Sequence, residues 1–271
     1  MQSRLSEVLG RARSEGRAAL VGYLPAGYPS VAAAIAAATA MVECGVDVVE
    51  IGLPYSDPLM DGPVIQAAVD GALANATTTP DVMHTVREVA RAGAPVLVMS
   101  YWNPIECYGA ERFAGELSAA GGAGTITPDL IPEEAAPWVA ACDKEDLDRV
   151  FLVAPSSTPA RLRLTAAHCR GFVYAASTMG VTGTRAQVSE RAAVLVAGTR
   201  LVTDLPVCVG LGVSSAEQAA EVAGYADGVI VGSAFVRLLL DAATPEAGVA
   251  AVRDLAGELA EGVRRGAREA T

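Results

Sequence analysis

Residues 46–63 read VDVVEIGLPYSDPLMDGP. The opening residues are apolar and β-branched, with no clean alternation, as in a strand covered on both faces. Gly52, Pro54, Asp57, Pro58, Gly62 and Pro63 then break the run into a long loop. A helical piece follows, roughly Val64–Ala72. Strand, loop and helix in that order make one βα unit, and the pattern repeats outward in both directions. Strand-like runs occur at Ala19–Leu24, Asp47–Ile51, Pro95–Ser100, Gly124–Thr127, Arg149–Ala154, Gly171–Ala175, Pro206–Val209 and Asp227–Val231. Between them lie helical segments at Ser30–Glu43, Pro80–Ala92, Ala110–Ala119, Thr158–His168, Ser189–Ala197 and Ser215–Ala223. An extra helix at Ser3–Ser14 precedes the first strand, and a closing helix runs from about Gly248 to Gly262. Eight βα units in 271 residues predict a (β/α)8 TIM barrel, one domain over residues 1–271, with an elaborated loop after strand 2. The alternative is an open doubly wound sheet, distinguished by strand order.

Composition narrows the class of function. The chain is 52% hydrophobic but only 5% aromatic, so Ala, Val, Leu and Ile must fill the core. A net charge of −11 with no basic stripe argues against nucleic-acid binding. A local phosphate pocket stays open, because backbone N–H groups can make one without lysine. The five cysteines are scattered and form no CxxC, which reads as reduced thiols in a cytoplasmic protein. The two histidines, His84 and His168, offer no metal-ligand spacing. The polar N-terminus resembles neither a signal peptide nor a membrane span.

Two places carry candidate chemistry. Val48 and Glu50 share one strand face, and Glu50 lies at the C-terminal end of its strand. If that face points inward, a carboxylate stands at the mouth of an apolar barrel, where desolvation raises its pKa and suits it to proton transfer. Otherwise Glu50 is a partly exposed or ion-paired strand end. Asp57 and Asp61 sit in the following loop. Asp57 fits a turn-forming role, and Asp61 fits either an N-cap or an acid that holds developing positive charge. The second place is a set of glycines after the last three strands: Gly180 and Gly183, Gly210 and Gly212, then Gly232-Ser233. Barrels bind phosphate with the loops after strands 7 and 8, and Ser233 is expected to add a hydroxyl and cap the next helix. No dinucleotide or nucleoside triphosphate fingerprint is present.

GLPYSDPLMDGPVIQ resembles the signature of the tryptophan synthase α subunit family. The resemblance continues through Tyr101-Trp102-Asn103-Pro104, Pro128-Asp129-Leu130, Tyr174, Gly180-Val-Thr-Gly183, Val209-Gly210-Leu-Gly212 and Val231-Gly232-Ser233-Ala234. It implies retro-aldol cleavage of indole-3-glycerol phosphate to indole and glyceraldehyde 3-phosphate, without metal or cofactor in this subunit. Glu50 falls on the family's catalytic glutamate, Asp61 on its second catalytic acid, and Tyr174 on the tyrosine beside the glutamate. Gly183, Gly212, Gly232 and Ser233 match the phosphate loops. Tyr23, Tyr101, Asp129 and Leu211 fall in the substrate pocket, with Tyr23 and Leu211 where phenylalanine is common. The resemblance further implies an α2β2 complex with a PLP-dependent β subunit that receives indole. The strand 2 loop and Tyr101–Tyr108 would face that partner, and Gly180–Ser189 would form a mobile lid. Met60, Tyr55, the run Gly121–Thr127 and the extra residue in Leu130-Ile131-Pro132 depart from the usual pattern. A Schiff-base aldolase is a poor rival, since the single lysine, Lys144, lies in a helical stretch before the fifth strand.

Overall fold

The computed structural model describes residues 3–176 and 185–269. Nine parallel strand segments form one sheet: β1 (Ala19–Pro25), β2 (Val48–Gly52), β3 (Val96–Met99), β4 (Gly124–Ile126), β5 (Asp148–Val150), β6 (Leu152–Val153), β7 (Val173–Ala176), β8 (Val207–Gly210) and β9 (Gly228–Val231). Their order is β5-β4-β3-β2-β1-β9-β8-β7-β6. The two ends, β5 and β6, are consecutive in sequence and separated only by Phe151, so they are halves of one stave and the sheet closes on itself. Eight staves result, as the sequence predicts. The fifth strand, expected as one run over Arg149–Ala154, is broken because the Phe151 N–H donates to Cys169 Sγ (3.4 Å) and not to a strand. The Phe151 carbonyl still accepts from Tyr174 N–H at 3.2 Å.

Helices alternate with the strands: α1 (Arg4–Ser14), α2 (Val31–Glu43), α3 (Pro63–Ala74), α4 (Thr79–Ala90), α5 (Trp102–Tyr108), α6 (Ala110–Ala119) and α7 (Ala136–Lys144) in the first half. The second half holds α8 (Pro159–His168), α9 (Arg185–Arg200), α10 (Ala216–Ala223), α11 (Ser233–Asp241) and α12 (Pro245–Glu269). Several starts are fixed by side chains that accept an otherwise unpaired N–H: Ser3, Ser30, Thr158 and Ser215 cap α1, α2, α8 and α10. Thr78 and Asp81 make a reciprocal capping box on α4.

Two apolar layers follow from strand alternation. Outward residues such as Leu20, Val49, Ile51, Val98 and Val229 pack beneath the helices. Inward residues, among them Val21, Val48, Leu97, Ile126, Val150, Phe172, Cys208 and Ile230, fill the barrel and meet Leu5, Leu9 and Ala12 of α1. The N-terminal helix is therefore a plug on the barrel floor, and burying each of its leucines stabilises by about 2 kcal/mol. The floor being sealed, the inward side chains at the C-terminal strand ends face the one open mouth.

Candidate active site

A cavity of about 460 Å³ opens at that mouth. It is lined from the strands by Tyr23, Glu50, Met99, Leu152, Tyr174 and Ile230, from the loops by Met60, Asp61, Leu211, Gly212 and Gly232, and from the start of α11 by Ser233. Parity places Glu50 here: Val48 points into the barrel core, so the residue two further on does too. Glu50 is 1% exposed, and its Oε1 has no hydrogen-bond partner among the described residues. Burial alone pushes its pKa up to about 8. The alternative of an exposed or ion-paired strand end is thereby excluded.

Two tyrosines flank this carboxyl group, and missing side chains make room for both. A Cβ on Gly52 would lie 2.3 Å from the Tyr23 hydroxyl, and one on Gly210 would lie 2.4 Å from the Tyr174 hydroxyl. Burial, reinforced by the neighbouring carboxylates, holds both phenols above their ordinary pKa, so they remain protonated donors.

Asp61 sits across the cavity on the loop after β2. It is not the cap of α3, since Gly62 occupies that position without a side-chain hydrogen bond. Burial raises its pKa, and a hydrogen bond from the Tyr101 hydroxyl pulls it back. The same hydroxyl accepts from Met60 N–H at 2.9 Å. Tyr101 is 5% exposed and does not line the cavity, so it acts by positioning the loop that carries Asp61. Asp57 is exposed, accepts from its neighbour Ser56 (2.6 Å), and takes no part in the cavity.

Other predicted residues divide in the same way. Leu211 forms part of the wall. Asp129 does not line the cavity: its two oxygens accept from Trp102 N–H at 2.9 and 3.2 Å and anchor the start of α5. Gly212, with φ +65°, and Gly232 bring backbone to the opposite end of the cavity. Ser233 is there too, but the expectation that it caps α11 is corrected, because Gly232 holds the cap position and Ser233 is the first helical residue. Gly183, and the proposed lid from Gly180 as far as Thr184, lie outside the described residues.

The sequence reading missed Arg237. It stands one turn into α11 at the glycine end, exposed, and is the only cation lining the cavity among the described residues. Its spacing four residues after Ser233 was the available signal. Met60, Met99 and Leu152 make the apolar end. One end of the cavity thus suits an anion and the other a flat apolar ring, with two carboxyl groups between them. No cluster of His, Cys, Asp and Glu that could hold a metal occurs among the described residues.

The family model described as tryptophan synthase alpha chain matches residues 9–264. The tryptophan synthase alpha chain of Thermobifida fusca is 61% identical, covering 97% of this chain and 99% of the relative. That of Streptomyces avermitilis is 62% identical, covering 97% and 95%. Among solved structures, Mycobacterium tuberculosis tryptophan synthase superposes with a TM-score of 0.91 at 54% identity, covering 97% of this chain and 99% of that one. The alpha subunit from Legionella pneumophila gives 0.86 at 31% identity, covering 99% and 100%. The chain belongs to the tryptophan synthase alpha chain family.

Proposed function

We propose that Glu50 and Asp61 divide between them the family reaction, cleavage of indole-3-glycerol phosphate to indole and glyceraldehyde 3-phosphate. The chain is a carbon–carbon lyase of tryptophan biosynthesis; the proposal concerns how its residues do the work. The observation that carries it is a fully buried Glu50 facing Asp61 in one cavity whose ends differ in polarity.

With its pKa near 8, Glu50 begins protonated at neutral pH. It delivers that proton to indole C3, and the electron pair comes from the ring nitrogen, which becomes positively charged. Asp61, ionised and accepting from the indole N–H, stabilises this charge in a site shielded from water. The Glu50 carboxylate then takes the proton of the adjacent side-chain hydroxyl. The carbon–oxygen double bond forms, the C–C bond breaks, and its electrons return to the ring nitrogen. Indole and the aldehyde separate with Glu50 again protonated, so the cycle needs no external acid or base. Tyr23 and Tyr174 wall the cavity beside the Glu50 carboxyl as protonated phenols. Gly212, Gly232 and Ser233 receive the phosphate, and the family resemblance adds Gly183 to them.

Arg237 supplies the charge that attracts this phosphate to a protein of net charge −11. Arg237→Ala is expected to raise KM about three- to tenfold with a much smaller change in kcat, and Arg237→Lys to restore most of it. Steady-state kinetics at low and high salt check this, since added salt should narrow the gap between parent and variant.

The partner in this reading is a tryptophan synthase beta chain in an α2β2 assembly, and any PLP belongs to that partner. The loop after β2 and α5 form the face turned toward it. No helix among the described residues is long and apolar enough to cross a membrane. The reading places the chain in the cytoplasm on its five free, scattered cysteines. Indole release from indole-3-glycerol phosphate, measured with the chain alone and with a beta chain, tests the function. Release that rises strongly with the beta chain supports both assignments. No release in either case overturns the division of roles.

A further inference from the structure

Beside the active-site cavity lies a second one of about 270 Å³, walled by Leu130, Phe151 and Val153. Three residues, Met60, Leu152 and Ala176, face both cavities. The only cation on the second cavity's wall among the described residues, Arg161, is paired with Glu133 at 2.8 Å. No free charge therefore invites a second phosphate, and the chamber suits a small neutral apolar group. Met60 is held where it stands, because its N–H donates to the buried Tyr101 hydroxyl at 2.9 Å. This is the hydroxyl that also bonds Asp61.

We infer that Met60 is a partition that sets which ring-substituted substrates the site accepts, and that the cavity behind it takes apolar substituents on the six-membered ring of the indole. The inference rests on the placement of the substrate proposed above. Asp61 receives the indole N–H, and that nitrogen is bonded directly to the six-membered ring. The ring edge on the nitrogen side therefore lies next to Asp61 and hence next to Met60, its neighbour in the chain. The anion-binding end is on the other side of the barrel, at Gly212, Gly232 and Arg237. A substituent on that ring edge points at Met60, with Leu152 and Ala176 beside it. Methionine is unbranched and flexible, so it closes the passage to bulky groups while adapting to the bare ring.

The test uses Met60→Ala and Met60→Phe in the full chain with its beta chain. The substrates are indole-3-glycerol phosphate with and without chlorine on the nitrogen-side edge of the six-membered ring. Joining the two cavities should raise the chlorinated-to-plain ratio of kcat/KM about tenfold in Met60→Ala and lower it in Met60→Phe, as one apolar heavy atom commonly discriminates by that much. If Met60→Ala slows turnover by loosening the loop, the same ratio is read from competitive binding of indolepropanol phosphate and its chlorinated form, which do not react. A ratio within twofold of the parent in both variants, with the plain analogue binding normally, overturns the partition alone. Failure of the parent chain to bind the plain analogue at this site overturns the substrate placement, and the partition with it.

Discussion

Glu50→Gln is expected to lower kcat by about 10²–10⁴-fold, the range of a lost general acid–base group, while making the folded chain more stable at alkaline pH. The two effects have one cause. Burial favours the uncharged carboxyl and raises the folded-state pKa from 4.5 to about 8. A group whose folded pKa is raised contributes stability that is fully present below the unfolded value and is lost as pH rises through the folded one. Ionising Glu50 inside the barrel therefore weakens the fold across that interval. Glutamine has the same shape and never ionises, so the variant escapes a loss on the order of a few kcal/mol. Urea unfolding of parent and variant at about pH 5 and about pH 9 checks this: the midpoints should nearly coincide in acid and separate in base, the variant being higher. Near-parental turnover in the variant removes Glu50 from the mechanism. Equal alkaline midpoints would show that the carboxyl is better solvated than its burial indicates.

The activity of the parent should carry the same signature. Glu50 must start protonated and Asp61 ionised, so kcat/KM falls as pH rises through about 8 and falls again in acid as Asp61 protonates. The acid limb of the resulting bell reports Asp61 and the alkaline limb reports Glu50.

The residues legible in the sequence were those whose position follows from a period. Glu50 was one in part: a two-residue alternation puts it on the face of Val48 at the strand end, and the structure shows that this face points inward. The eight staves and the capped helix starts at Ser30, Thr158 and Ser215 were equally visible, because strand runs and cap residues are local signals. What escaped depends on contacts distant in sequence. Helix α5 reads WNPIECY, with Pro104 inside it, and no propensity announces a helix there. It is anchored by Asp129, twenty-seven residues away, whose carboxylate accepts its first N–H. Helix α7 was glimpsed only through its end at Lys144, as Pro137 and Trp138 obscure its start. The break at Phe151 hinges on a thiol eighteen residues downstream. Asp129 illustrates the limit at the site itself: the family resemblance put it in the pocket, and the structure gives its carboxylate to a helix end. Arg237 failed the opposite way, since its one signal, a spacing of four residues from Ser233, means nothing until the barrel mouth is assembled around it.

Asp61→Asn should reduce kcat by about 10²–10³-fold, with a much smaller effect on KM. Asparagine fills the same volume and its carbonyl oxygen can still accept from an indole N–H, so binding of the neutral ring survives. What disappears is the negative charge opposite a ring nitrogen that becomes positive only after C3 is protonated, a loss confined to the transition state and the intermediate that follows. Tyr101 separates charge from geometry. Its hydroxyl donates to Asp61, which lowers a pKa that burial raises, and accepts from Met60 N–H. Tyr101→Phe removes the donor and leaves the carboxylate, so Asp61 should hold its proton to higher pH. The acid limb of the kcat/KM profile then moves toward neutrality, with the limb near pH 8 staying in place because burial alone sets it. A purely structural role for Tyr101 would lower activity at every pH and shift neither limb. If Asp61→Asn instead raises KM and leaves kcat intact, Asp61 binds the ground state, and the stabilisation of the charged ring must come from elsewhere in the cavity.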